Sequence, residues 1–269
     1  MDKKLEGYIF VVTHKDYPMP IEKIYMPITV GKNKQKLTFN KFYTDDALEN
    51  RSIAKKNDSY CELTALYAMW QDSNFSKLDY MGLVHYRRYF TEGKVRKKNK
   101  FEHILSEKRV LKLFKQYDVI LPKIRHYFIE TNYSHYAHAH NVKDLDTTRS
   151  VIEELHPEYL ADFDQVMKKT SGHRFNLMIM KKEKLDAYCQ WLFSILFEVE
   201  NRIDCEGYDP YQTRVFGFLS ERLLDVWIQY QQVSYYEQNY SFMEKENWVL
   251  KGKNFLMRKI KRKSLVKYD

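Results

Sequence analysis

The densest group of chemically capable side chains is the run Met81-Gly82-Leu83-Val84-His85-Tyr86-Arg87-Arg88-Tyr89-Phe90. A short apolar stretch delivers one imidazole and two adjacent guanidiniums to its C-terminal end. Guanidinium forks bind phosphate oxygens bidentately, so Arg87 and Arg88 suit a polyphosphate or another anion. His85 adds a hydrogen-bonding or proton-transfer group beside them. A strand that merely runs out into solvent would also end in charged residues. Three aromatic neighbours argue for a built site instead.

Two further clusters have the right residue types. Tyr133-Ser134-His135-Tyr136-Ala137-His138-Ala139-His140 offers three imidazoles. His135, His138 and His140, with Glu130, have the composition of a zinc site. The same residues can hydrogen-bond sugar hydroxyls or a phosphate, or simply pack in a loop. Thr170-Ser171-Gly172-His173-Arg174-Phe175-Asn176 combines small residues, which permit close backbone approach to a ligand, with His173 and Asn176 as hydroxyl partners. A plain turn before a strand is the other reading. If an acceptor hydroxyl is to be deprotonated, a carboxylate base is needed, and Asp144, Asp146, Asp209 and Glu221 are the candidates.

Buried strands alternating with helices must position these groups. Residues 8–13 (YIFVVT) are a nearly continuous apolar run, as in a parallel strand covered on both faces. Residues 26–30, 81–84, 118–121 and 175–180 read as further strands. Helical spacing covers 60–71, 106–117, 145–155, 159–168, 184–200 and 212–231, with Asp58 or Ser59 capping the first and Ser106 the second. Residues 31–58 read as loop, and 123–143 have no clear period. The alternation predicts an α/β class: a single, mainly parallel sheet flanked by helices, with ligands beyond the C-terminal ends of its strands. No repeat or linker divides the chain, so 1–248 reads as one catalytic domain and 249–269 as a basic tail.

Composition narrows the partners. Hydrophobic residues make up 44% and charged residues 30%, which predicts a packed core. The formal net charge of +9 favours polyanionic partners. Aromatics reach 16%, with 22 Tyr, a surface suited to stacking on sugars or bases and also the mark of a low-GC genome. The three cysteines, Cys61, Cys189 and Cys205, lack metal or disulfide spacing and fit a reducing cytoplasm. No apolar run follows the N-terminal Lys pair, so no signal peptide is expected, and no apolar run approaches the roughly 20 residues that span a bilayer.

The segments THKDY, NDSYCELTALYAMW, MGLVHYRRYF, YDVILPK, YSHYAHAH, TSGHRFN and ERLLDVW occur in this order over about residues 8 to 248. Together they resemble a bacterial family of capsular and exopolysaccharide glycosyltransferases long filed as a domain of unknown function. The resemblance implies a glycosyltransferase A-like nucleotide-sugar-binding fold and transfer of a sugar from a UDP-sugar, with galactose or galactofuranose favoured. It implies a lipid-linked oligosaccharide acceptor in capsule, exopolysaccharide or O-antigen synthesis. Thr13, His14 and Lys15 resemble the nucleotide-binding edge of that fold, and Asp45, Asp46 and Asn57 match its polar loop positions. Many such enzymes end the central strand in an acidic pair that holds a metal. Here His85-Tyr86-Arg87 stands in that place, so Arg87 or Arg88 is expected to replace the metal and no cofactor is required. His85, Arg87, Arg88 and Glu221 are the expected catalytic groups. The rivals are a single-strand RNA-binding module, for which no aromatic RNA-binding box is found, and a metal protein built on the histidines. Phe255, Leu256, Met257 and Ile260, interleaved with Arg258, Lys259, Lys261, Arg262 and Lys263, read as an amphipathic basic segment. It predicts a cytoplasmic protein held peripherally on the anionic inner face of the cell membrane, without nucleic acid.

Overall fold

The structure is a computed structural model that describes residues 5–38, 43–93, 95 and 100–244. The basic tail, the 248 boundary and most of the 94–100 loop lie outside the described residues.

Among the described residues, strands β1 (Gly7–Thr13), β2 (Tyr25–Thr29), β3 (Tyr43–Thr44), β4 (Tyr80–His85), β5 (Arg88–Phe90), β6 (Val119–Pro122), β7 (Arg125–His126), β8 (Ser171–Gly172), β9 (Met178–Lys181), β10 (Tyr235–Gln238) and β11 (Tyr240–Phe242) are joined by eight α-helices. These are α1 (Asn57–Tyr60), α2 (Leu63–Gln71), α3 (Glu107–Leu113), α4 (Asn132–Ala139), α5 (Val142–Leu155), α6 (Leu160–Lys168), α7 (Lys182–Arg202) and α8 (Val215–Gln231). The main sheet runs β10-β6-β9-β4-β1-β2-β3, with β5 paired to β4 and β11 paired to β5. β1 pairs in parallel with β2 and β4, β2 with β3, and β10 with β6. Along this path β9 runs antiparallel to both neighbours, β4 and β6, and the appended β5 is antiparallel to β4 and β11. The C-terminal ends of β1, β4, β6 and β10 therefore share one edge with the start of β9.

The continuous apolar runs follow from burial on both faces. Phe10 and Val12 join a core with α2 and α5 to α8, whereas Ile9 and Val11 face a smaller core with Val110 and Leu113 of α3. Gly82 is required where β4 meets β9: a Cβ there would lie 2.9 Å from Ile179 Cγ1 and 3.0 Å from the Met178 carbonyl. Among the described residues no helix is long and apolar enough to cross a membrane.

The mainly parallel sheet matches the sequence expectation, with several local departures. The expected strand 175–180 begins only at Met178, because Phe175 (φ 77°) and Asn176 (φ 51°) take left-handed conformations that no strand accommodates. The expected helix 60–71 is broken at Cys61 (φ 51°) into α1 and α2, and neither Asp58 nor Ser59 caps it. Ser106 does cap α3, accepting from the Arg109 amide. The aperiodic stretch 123–143 contains α4, started by a reciprocal Thr131–Ser134 capping box.

Candidate active site

β4 ends in a tight reversal. His85 pairs with Arg88, so Tyr86 and Arg87 form the turn, and the Met243 amide donates to the Arg87 carbonyl. Arg88 is clamped by aromatic faces: its guanidinium carbon lies 4.3 Å from the Phe175 ring centre and 5.0 Å from that of Phe242. Arg87 lies 5.5 Å from the Tyr86 ring centre and 3.8 Å from Glu244. The Nε atoms of both arginines are buried without a hydrogen-bond partner among the described residues. Burial, and the neighbouring Arg87 cation, lower the Arg88 pKa.

His85 Nε2 lies 3.0 Å from the Phe175 carbonyl, which assigns the proton to Nε2 and leaves Nδ1 as an acceptor. Desolvation, then the Arg88 charge, lowers its pKa to about 3, so the ring is neutral. Glu62, 3.8 Å from His85, is buried and accepts from Asn176 Nδ2 at 2.7 Å. Burial raises its proton affinity. Asn176 also donates to the Gly217 carbonyl and accepts from Ser220, which fixes the left-handed turn. Glu221 receives the Phe175 amide at 3.0 Å on Oε1, while its Oε2 lies 3.3 Å from Arg222. Thr13, His14 and Lys15 end the neighbouring β1. His14 packs edge-on against Tyr86, and its pKa is lowered by partial burial, then by Arg87 and Lys15. Lys15 Nζ reaches Glu244 at 3.0 Å and lies 5.0 Å from the Tyr86 ring centre. One edge of the sheet thus gathers Thr13, His14, Lys15, His85, Arg87, Arg88, Asn176 and Glu221 around a cationic centre.

The other expected residues lie apart from that centre or inside the wall. Asp45 is fully buried, held by Lys34 Nζ at 2.5 Å and Thr64 at 2.7 Å, so both carboxylate oxygens are engaged. Asn57 donates to the Cys61 carbonyl and to Thr64. His135 stacks on Tyr127 at 4.0 Å, with Arg222 3.3 Å from its Nδ1. His140 stacks on Phe218 at 4.0 Å and meets Gln212. Exposed His138 pairs with Glu130 at 2.8 Å. The three imidazoles therefore have three different partners, and one of those is a cation, unlike a shared metal site. Among the described residues no group of three or more His, Cys, Asp or Glu side chains is arranged to hold a metal. His173 is buried, with Nδ1 2.5 Å from Asp225 and Nε2 3.4 Å from Glu237. Gly172 leaves the space that Arg174 and Asp225 fill; a Cβ would come within 2.5 Å of the guanidinium.

A model of the family described as "Domain of unknown function (DUF4422)" matches residues 8–232. The chain belongs to the DUF4422 family. No curated protein sequence matches it. In structure this DUF4422 chain is similar to the bifunctional glycosyltransferase WbbM in its apo form. The TM-score is 0.78 and the identity 26%, over 90% of this chain and 46% of that one. It thus spans less than half of the WbbM chain. The mannosyltransferase Ktr4p of S. cerevisiae aligns with a TM-score of 0.35 and 10% identity, over 88% of this chain and 70% of that one. The mainly parallel sheet, with β9 reversed within it, and the WbbM likeness together make the fold glycosyltransferase A-like.

Several groups of this DUF4422 site escape sequence reading. Glu62, Arg174, Arg222 and Asp225 all lie inside recognised segments, but on a helix or turn a charged residue reads as solvated. Arg174 and Arg222 are in fact 4% and 2% exposed. A buried guanidinium needs partners, and each has them in Glu221, Asn132 or backbone carbonyls.

The neutral imidazoles make stability pH-dependent. Burial lowers the pKa of His135 and of His140 to about 4, and that of His85 to about 3, against 6.5 for an unperturbed ring. Depressed histidine pKa values mean that the unfolded chain binds more protons. Stability is complete above about pH 6.5 and falls as pH drops toward 4, by up to about 1.4 kcal/mol per pH unit for the most buried ring, His85. Glu62, with its raised proton affinity, acts in the opposite sense. Melting temperature should therefore decline from pH 6.5 to 4.5, and less steeply in His140→Gln. Identical slopes for the two proteins would remove His140 from this account.

Proposed function

We propose that this chain is a glycosyltransferase that takes its sugar from a nucleoside-diphosphate donor, UDP-sugar in the favoured reading, with galactose or galactofuranose as the sugar. The observation that carries the proposal is the pair Arg87 and Arg88 at the end of β4, each with a buried Nε that lacks a partner among the described residues. A diphosphate supplies those partners and neutralises two adjacent cations. The likeness to WbbM supports the reaction class.

In this proposal the acceptor hydroxyl gives its proton to Glu221 and its oxygen attacks the anomeric carbon. The bond from that carbon to the diphosphate breaks, and Arg87 and Arg88 receive the charge that develops on the leaving oxygen. Of the four candidate bases only Glu221 stands beside this cluster. Asp144 holds Tyr208, Asp146 holds Tyr133, and Asp209 caps the amides of Tyr211 and Gln212. His14 and Lys15 border the nucleotide end. His135 and His140 already stack on Tyr127 and Phe218, so in this reading their ring edges serve the sugar.

A divalent metal does not fit the end of β4. The strand end carries two guanidiniums whose charge opposes a second cation, and the nearby carboxylates are already engaged: Glu62 by Asn176, Glu221 by the Phe175 amide and Arg222, and Glu244 by Lys15. The proposed enzyme therefore works without one. The acceptor in this reading is lipid-linked and belongs to a surface polysaccharide, reached from the cytoplasmic face of the membrane with the basic tail on anionic lipid.

A thermal-shift panel of nucleotides and nucleotide-sugars tests the reading. A ligand at about 100 times its Kd adds about 2.7 kcal/mol to apparent stability. UDP and one UDP-sugar should raise the melting temperature, and nucleosides without phosphate should not. A flat response to every nucleoside diphosphate would contradict the proposal.

A further inference from the structure

The segment that leaves β6 carries an unusual surface. Phe128 and Ile129, adjacent at its tip, are 86% and 91% exposed. Large apolar side chains standing this far out of a fold, side by side, bury nothing in the chain itself. The tip is held in place at its base. The Tyr127 amide donates to the Thr170 carbonyl, and the Tyr127 hydroxyl accepts from Arg174. The Ile129 amide closes back on the Tyr127 carbonyl, and the Thr131 capping box follows at once. Exposed cations flank the tip: Lys123 and Arg125 precede it, and Lys168 and Lys169 lie beside it through the Tyr127–Thr170 and Asn132–Lys169 backbone bonds, while the acids of the same stretch are engaged, Glu237 by the Ile124 amide and Asp164 by Arg149. The nearest acid, Glu130, is occupied by His138.

We infer that residues 127–129 form a membrane-docking tip: Phe128 and Ile129 enter the interface of an anionic bilayer while Lys123, Arg125, Lys168 and Lys169 meet its headgroups. An apolar pair flanked by cations is complementary to such a surface in both polarity and charge. β6 is parallel to β4, so the tip rises from the same sheet edge that carries Arg87 and Arg88. Docking there would set that edge toward the lipid. This surface is distinct from the basic tail and does not depend on the transferase reading.

The test is co-sedimentation of the full chain with phosphatidylcholine vesicles containing about a third phosphatidylglycerol, without nucleotide. Wild type is compared with the Phe128→Ser/Ile129→Ser double variant, the tail intact in both. Burying one such side chain contributes about 1.5–3 kcal/mol, so the double variant should partition at least about tenfold more weakly. Wild-type binding should fall with added salt and be weak on phosphatidylcholine alone. Both substituted positions are exposed, so equal melting temperatures are expected and confirm an intact fold. Equal partitioning of the two proteins overturns the inference, as does wild-type binding that ignores lipid charge. A double variant that loses self-association in sedimentation velocity, with vesicle binding unchanged, overturns it as well and assigns the tip to a second copy. UDP binding in solution is scored separately, so failure of the tip and failure of the donor-site reading are told apart.

Discussion

Arg87→Ala is expected to lower turnover on the order of 100-fold or more, with little change in melting temperature. Arg87 stands at a turn, half-exposed, and among the described residues its side chain meets the Tyr86 face and lies 3.8 Å from Glu244. Its removal leaves no cavity and strands no buried partner. What is lost is a charge-assisted contact at the place where the leaving diphosphate gains charge. Arg87→Lys keeps the charge but not the planar fork, so it should recover only part of the rate. Arg88 is a different experiment, because its stacking between Phe175 and Phe242 makes alanine there a packing change too. Retention of wild-type rate by Arg87→Ala, measured as nucleotide release, would take Arg87 out of the reaction.

Glu221→Gln should lower turnover by about 10²–10⁴-fold, the range for loss of a positioned general base. Glutamine keeps an oxygen for the Phe175 amide, so the left-handed turn at Phe175 and Asn176 should persist. Affinity for UDP should stay near wild type, because the substitution leaves Arg87 and Arg88 in place. A rate within a few-fold of wild type would confine Glu221 to holding that turn. The base would then have to be sought at another carboxylate of the same edge, such as Glu237 on β10.

The centre of the site was legible in the sequence because its signal is local. A fully apolar run followed by His85, Arg87 and Arg88 locates a strand end and its cargo without knowledge of the fold. The outer turn at β1 was readable for the same reason. What escaped depends on contacts far apart in sequence. Asn176 reaches Glu62, 114 positions away, and His173 meets Asp225 52 positions on. Nothing in a helix-face acid distinguishes Glu62 or Asp225 from a solvated one until the sheet is assembled. The left-handed conformations of Cys61, Phe175 and Asn176 carry no glycine to announce them, so the apolar pattern continues a helix and a strand through them. β10 and β11 are short, polar strands without the alternation that marks a half-buried strand, so the sequence pattern does not announce them.

The most direct test of the central claim is calorimetric titration of UDP into the wild-type protein and into Arg87→Ala, each with and without EDTA. The prediction is saturable binding by the wild type that EDTA leaves unchanged and that falls at least tenfold in Arg87→Ala, the effect of losing about 1.4 kcal/mol or more from a charge-assisted contact. Binding that needs a divalent metal and survives the loss of Arg87, or no binding of UDP at all, would contradict an arginine-held diphosphate at the end of β4.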